Sequence, residues 1–182
     1  MSKDKYKIAL LGGRGYVGQE IIKLLNSHPL FDLSMSFSKS LAEKNVDGYI
    51  KNPNLKYTNL SLESLSLPDI DIVICALANG ESSVYIDKIE DIDDTIIIID
   101  IGSDYRFDDG WSYGIPEIHN ISKGTKRISN PGCYATAMQL AIAPLKDHIN
   151  SKVSCVGISG YSGAGSTPND KNDPKILKNN IL

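Results

Sequence analysis

Residues 7–18 read Lys7-Ile8-Ala9-Leu10-Leu11-Gly12-Gly13-Arg14-Gly15-Tyr16-Val17-Gly18. The short apolar run Ile8–Leu11 is expected to be a buried first strand. The glycines that follow mark a tight turn. From Val17 onward, Val17, Ile21, Leu24 and Leu25 recur at helical spacing. Pro29 stops that helix, because proline disfavours helical geometry in the residue before it. A strand, a G-x-x-G-x-x-G turn and a helix form the opening of a dinucleotide-binding unit. Glycines let the backbone approach a pyrophosphate, and the helix N-terminus offers free N–H donors and a favourable dipole. A glycine cluster by itself also suits a plain turn; its place between strand and helix favours the phosphate reading.

Working outward, Leu33–Phe37, Asp71–Leu77 and Thr95–Ile101 read as further strands. The last two are continuous apolar runs, as parallel strands covered on both faces require. Helices are expected over residues 80–89 and 134–146, and another strand over 153–159. This alternation predicts an α/β fold: a Rossmann-like, doubly wound, mostly parallel sheet with the truncated start of a second α+β domain. The expected division is a dinucleotide-binding domain over 1–150 and the start of a second domain over 151–182. After Gly165 the chain turns polar and shows no clear core face.

The 182 residues suffice for one ordinary domain and the start of another. A hydrophobic fraction of 41% supports a core, and a net charge of -3 with both signs dispersed argues against a nucleic-acid or membrane-surface partner. Three widely spaced cysteines do not suggest a disulfide framework and fit a reducing compartment. The polar start Met1-Ser2-Lys3-Asp4-Lys5 has no signal-peptide core. A cytoplasmic location is expected, or the mitochondrial matrix if the chain is part of a larger eukaryotic precursor.

Cofactor choice is argued from the end of the second strand. Roughly 20 residues after the turn, an NAD site presents a carboxylate to the ribose hydroxyls. Here Ser36-Phe37-Ser38-Lys39 occupies that place. With no carboxylate to repel a 2′-phosphate, Ser38 can donate to one and Lys39 can neutralise it, so NADP(H) is favoured. A solvated surface role is the alternative for Lys39.

Cys75 and Cys155 lie in apolar segments and are expected to be small buried hydrophobes. Cys133 differs. It follows Asn130-Pro131-Gly132 and precedes Tyr134-Ala135-Thr136-Ala137, which puts its sulfur in a helix's first turn, where free N–H groups favour a thiolate. Such a thiolate can attack an acyl carbon and form a thioester that accepts hydride. On the residues alone, a structural cysteine at a turn remains equally open. No metal site is expected.

Four blocks in order carry a resemblance: residues 12–18, Asp100-Ile101-Gly102-Ser103-Asp104-Tyr105-Arg106-Phe107 with Tyr113-Gly114-Ile115-Pro116-Glu117, Ser129–Thr136, and Ser159-Gly160-Tyr161-Ser162-Gly163-Ala164-Gly165. Together they resemble the N-acetyl-gamma-glutamyl-phosphate reductases of arginine biosynthesis. The resemblance implies a cofactor turn at Gly12, Arg14, Gly15, Tyr16, Val17 and Gly18, and 2′-phosphate contacts at Ser38 and Lys39. It places Ala78, Asn79 and Gly80 beside the dinucleotide, and Ser159, Gly160, Ser162 and Gly163 near the nicotinamide or substrate. Cys133 would be the nucleophile. Arg106 would meet a substrate carboxylate or phosphate, with a surface ion pair as its alternative, and Asn130 would lie at the substrate. The implied partners are a small acyl phosphate and, at full length, a second copy of the chain.

The resemblance also implies an acid/base histidine in a later His-rich segment. His28, His119 and His148 do not match it and read as surface or capping residues, so turnover by this chain alone is expected to be weak or nil. Aspartyl- and aminoadipyl-phosphate reductases share the chemistry, and a non-catalytic NADP-binding module is the alternative of another class. The apolar segment near residue 155 is expected to leave an exposed strand edge and poor solubility.

Overall fold

Alternation along the first strand sets the layers. In the computed structural model, which describes residues 4–158, 160, 163 and 173, β1 (Tyr6–Leu11) turns Ile8 and Leu10 to one face of a sheet and Ala9 and Leu11 to the other. All four are fully buried. α1 (Tyr16–Ser27) covers the first face with Ile22 and Leu25. α2 (Ser83–Ile92) covers the second with Tyr85, Ile86 and Ile89. Each fully buried aliphatic side chain contributes about 1.5–3 kcal/mol through area removed from water, so the two clusters hold a layer on either side of the sheet.

The remaining strands are β2 (Phe31–Phe37), β3 (Tyr57–Thr58), β4 (Ile72–Cys75), β5 (Ile97–Asp100), β6 (Ser112–Tyr113) and β7 (Arg127–Ser129). Their order is β3-β2-β1-β4-β5-β7-β6, and every pairing is parallel. The chain winds outward from β1 through β2 and β3, then crosses back to lay β4 on the other side of β1. The expected doubly wound α/β fold is therefore present. The reversal opens a crevice at the carboxyl ends of β1 and β4, where ligands of such sheets bind.

Several local expectations shift. The inward stripe of α1 is Gly18, Ile22 and Leu25, whereas Val17 and Leu24 are exposed. Gly18 sits against the backbone of Gly12 and Gly13, and this contact rotates the helix away from the stripe that hydrophobicity alone suggests. The strands β3, β6 and β7 are two or three residues long, too short to carry an apolar run.

Asp100 ends β5 as a fully buried carboxyl. Its Oδ1 accepts from the Ser82 hydroxyl at 2.7 Å, and its Oδ2 has no hydrogen-bond partner. Burial, opposed by the Ser82 hydrogen bond, pushes the carboxyl above its ordinary value. The folded state thus holds the proton more tightly than the unfolded chain does. This group's unfavourable contribution is absent below the unfolded carboxylate range and grows as pH rises through the folded value. Asp100→Asn, which keeps an acceptor for Ser82, is expected to flatten that decline. Urea melts of both proteins from pH 4 to 8 would check it; parallel stability curves would count against a proton held at Asp100.

By backbone contacts the chain divides into two compact units, Met1–Pro131 and Gly132–Leu182. In the second, α3 (Cys133–Ile142) runs into a 3-10 helix (Ala143–His148), and neither contributes a buried side chain. The strand expected at 153–159 is not found. Residues 153–158 pair with no strand, and Val156 and Ile158 are exposed. Cys155, expected to be buried, is exposed as well. An apolar segment is buried as a strand only where a neighbour completes its ladder, and no described strand does so here. Ser159 lies outside the described residues.

Candidate active site

The glycine turn is shaped by close backbone approach. Gly12 has φ +83, and a side chain there would run into the Ala76 carbonyl at the end of β4. Gly12 and Gly13 N–H both donate to Phe37 O at 3.2 Å, and Gly15 N–H donates to Gly12 O at 3.0 Å. Gly15 is the N-cap of α1 and supplies no side-chain cap to the helix's first N–H groups. A Cβ at Gly15 would meet only Gly12 O, at 3.5 Å. The turn therefore presents unsatisfied donors to open space, and Tyr16 and Val17 flank it exposed. This cradle fits the pyrophosphate of a dinucleotide.

At the end of β2, Ser38 is buried and Lys39 exposed. Ser38 Oγ accepts from Leu41 N–H at 3.2 Å, and its N–H donates to Thr58 O. The hydroxyl proton remains available to an acceptor. Arg14 reaches over from the turn and donates from Nη1 to Ser40 Oγ at 3.2 Å. The structure thus gathers Arg14, Lys39 and Ser40 at one exposed corner, a donor set suited to a phosphate monoester. Ser40 is a residue the sequence reading missed, although it directly follows Lys39.

The loops after β4 and β5 are cross-linked. Gly80 N–H donates to both carboxylate oxygens of Asp104 at 2.9 Å, and Ser103 N–H donates to Asn79 Oδ1 at 3.2 Å. Ala78, Asn79 and Gly80 are exposed, and Gly80 adopts φ +85 with open space where a side chain would stand. These three residues follow β4, the strand paired with β1.

Arg106 is half-buried and forms no ion pair with a described residue. Its Nε donates to Asn130 O at 3.0 Å and its Nη2 to Ile101 O at 3.1 Å. Asn130 is held from both sides, because its N–H also donates to Asp100 O at 2.7 Å. Its side-chain Nδ2 donates to Pro131 O at 3.0 Å. Asn130 is therefore pinned to the carboxyl end of the sheet.

Cys133 is exposed and is the first residue of α3. Its N-cap is Gly132, which makes no side-chain cap; Thr136 N–H and Oγ1 both donate back to Gly132 O at 2.9 Å. Cys75 is the opposite case: burial, then the nearby Asp100 charge, push its thiol far up and leave it inert. In the second unit, Gly163 N–H donates to Gly160 O at 3.0 Å; Ser162, like Ser159, lies outside the described residues. His28 Nδ1 accepts from Leu30 and Phe31 N–H and its ring stacks on Phe31, while His119 packs edge-on to Tyr113.

A separate groove is lined by Glu90, Asp94, Ile96, Thr125, Lys126 and Arg127. It lies at the start of β5 and β7, the edge opposite the crevice, and Arg127 is closed onto Glu90 by two hydrogen bonds of 2.6 and 2.7 Å. It has no part in the site.

Known proteins align with this geometry. Residues 7–123 match the family model of the semialdehyde dehydrogenase NAD-binding domain, and residues 133–182 match that of the semialdehyde dehydrogenase dimerisation domain. An N-acetyl-gamma-glutamyl-phosphate reductase of Xanthomonas axonopodis pv. citri is 46% identical over all of this chain. The chain spans 58% of that relative's length. Protein ARG5,6, mitochondrial, of Candida albicans is 43% identical over 98% of the chain, which covers 22% of it. Among solved structures, aspartate semialdehyde dehydrogenase II of Vibrio cholerae superposes with a TM-score of 0.66 at 20% identity, over 88% of this chain and 48% of that one. The Candida albicans enzyme solved with NADP gives 0.61 at 18% identity, over 79% of this chain and 47% of that one. These two likenesses show the fold. The family models, which account for both the glycine turn and the cysteine segment, establish that the chain belongs to the semialdehyde dehydrogenase family.

Proposed function

We propose that this chain carries the cofactor-binding half and the nucleophile of an NADP-dependent acyl-phosphate reductase acting on N-acetyl-γ-glutamyl phosphate in arginine biosynthesis. The observation that carries the reading is Cys133: exposed, first in its helix, and directly downstream of a clamped Asn130 in a chain 46% identical to a reductase of that name. In the proposed reaction Cys133 Sγ attacks the acyl carbon, and the C–O bond to phosphate breaks with its electron pair leaving on phosphate. The resulting thioester is the species reduced. NADPH, when bound, supplies the hydride. The thiolate then departs, releasing N-acetylglutamate semialdehyde. Backbone N–H groups at the start of α3, which no side chain caps, would stabilise the acyl oxyanion.

In this reading Gly12, Gly15, Tyr16, Val17 and Gly18 hold the pyrophosphate, and Ala78, Asn79 and Gly80 line the dinucleotide. Arg14, Ser38 and Lys39 hold the 2′-phosphate. Ser159, Gly160, Ser162 and Gly163 belong near the nicotinamide or substrate. Asn130 and the unused donors of Arg106 face the substrate's anionic groups. The match to a dimerisation domain supports a homo-oligomer. No described helix is long and apolar enough to cross a membrane; the cytoplasm, or the mitochondrial matrix in a eukaryote, is the proposed compartment.

The test, made on the protein extended to the length of its relatives, is phosphate-dependent reduction of NADP+ by N-acetylglutamate semialdehyde, with aspartate and aminoadipate semialdehydes in parallel. Preference for either of the latter would overturn the substrate assignment. Lys39→Glu is expected to weaken NADPH binding about tenfold while leaving NADH within twofold. Fluorescence titration reads both, and equal losses would remove Lys39 from the 2′-phosphate site.

A further inference from the structure

The turn carries a support that the cofactor assignment does not include. Gln19 Nε2, one helical turn after the N-cap, donates to Gly13 O at 2.7 Å and to Tyr57 Oη at 2.9 Å. Tyr57 Oη in turn donates to Gly13 O at 3.4 Å. Tyr57 comes from β3 and is fully buried; burial, opposed by the Gln19 contact, raises its phenol above the ordinary value, so it keeps its proton. Beneath the same peptide, Ser36 Oγ is buried and makes no hydrogen bond. The Gly13 carbonyl therefore depends on Gln19 and Tyr57. A Cβ at Gly13 would press on Ser36 Oγ and lie 3.1 Å from the Tyr57 ring, which explains the glycine there.

The consequence follows from the planarity of the peptide. In a trans amide the carbonyl of Gly13 and the N–H of Arg14 point in opposite directions. With the carbonyl drawn to Gln19 and Tyr57, the Arg14 N–H is turned the other way, and it has no partner among the described residues. A carbonyl left to rotate would bring its negative end toward the turn's mouth. A run of N–H groups converging on one point is an anion-binding concavity, and it is sensitive to the setting of each peptide plane.

We infer that Gln19 and Tyr57 are positioning residues that lock the Gly13–Arg14 peptide so that its N–H faces the cofactor's diphosphate. This rests on the dinucleotide reading of the turn. The lock acts on the 5′-phosphates and not on the adenosine 2′-phosphate corner, and that difference makes it testable in the full chain. Competition titrations with NADPH, 2′,5′-ADP and adenosine 2′-monophosphate compare ligands with and without a 5′-phosphate. Gln19→Leu is expected to weaken NADPH and 2′,5′-ADP about tenfold, because both Gln19 hydrogen bonds are lost and only the long Tyr57 contact is left on the Gly13 carbonyl, and to leave adenosine 2′-monophosphate within twofold. Tyr57→Phe, which keeps the ring and its packing, is expected to weaken the same two ligands two- to threefold. The double variant should be little worse than Gln19→Leu, because the Tyr57 hydroxyl is itself held by Gln19. Equal weakening of all three ligands would reveal a general structural lesion and overturn the inference, as would unchanged binding of 2′,5′-ADP in both single variants. A wild-type chain that binds none of the three would overturn the dinucleotide reading and this inference with it.

Discussion

Replacing Cys133 with serine is expected to lower acylation of the protein by N-acetyl-γ-glutamyl phosphate on the order of a thousandfold or more, because an alcohol is a far weaker nucleophile than a thiolate at neutral pH. NADPH binding should stay within twofold. Intact-mass detection of the acyl adduct, together with its release by hydroxylamine, reads the step without requiring a full catalytic cycle. The other two cysteines are internal controls. Cys75 is fully buried and paired in register with Asp100, so it should label only on unfolding. Cys155 is exposed but lies in no helix, so its replacement by serine should leave acylation unchanged. Acylation persisting in Cys133→Ser, or lost in Cys155→Ser, would overturn the assignment of the nucleophile.

Substituting Gly18 is expected to have the second large effect. An alanine Cβ there would lie 2.8 Å from Gly13 Cα and 2.9 Å from Gly13 C, and would press on Gly12 O. Those neighbours are backbone and cannot rotate aside. Either the helix lifts off the turn or the turn opens, at a cost of about 1–3 kcal/mol in stability. The donors of the turn would then no longer converge. With several charge-assisted hydrogen bonds at stake, NADPH affinity should fall roughly a hundredfold or more. Gly15→Ala separates the two consequences. Its Cβ meets nothing closer than 3.5 Å in the protein, so its melting temperature should fall only by the modest cost of alanine at an N-cap, well short of the Gly18 variant. The methyl group would instead occupy the space left for the phosphates, and affinity should still drop about tenfold. Scanning calorimetry beside NADPH titration would check both. A Gly15→Ala protein that binds normally would show that the cofactor's phosphates lie elsewhere.

Within the candidate site, residues that act through chain-local geometry were legible and residues that act across the fold were not. Gly12, Gly15 and Gly18 announce themselves because a turn between a strand and a helix needs them, and Cys133 because it follows Pro131-Gly132 at a helix start. Ser40 lay in plain view but needed Arg14, 26 residues away, to acquire a role. Tyr57 carries no local signal at all. It looks like one more aromatic until β3 pairs with β2 and brings its hydroxyl to Gln19, 38 residues earlier. Arg106 invited a substrate or an ion pair, and only the fold shows that two of its donors are committed to the backbone of Ile101 and Asn130.

Amino-acid order alone was enough to establish the α/β class, the central buried strand, the glycine turn and the singular cysteine, because alternation, helical spacing and glycine geometry are properties of neighbouring residues. Parallel strand order, the inward face of α1, the support beneath Gly13 and the exposure of residues 153–158 were settled only on folding. Each depends on which distant backbone lies alongside, and in a parallel sheet that is set by crossovers of many residues, over which side-chain periodicity carries no information.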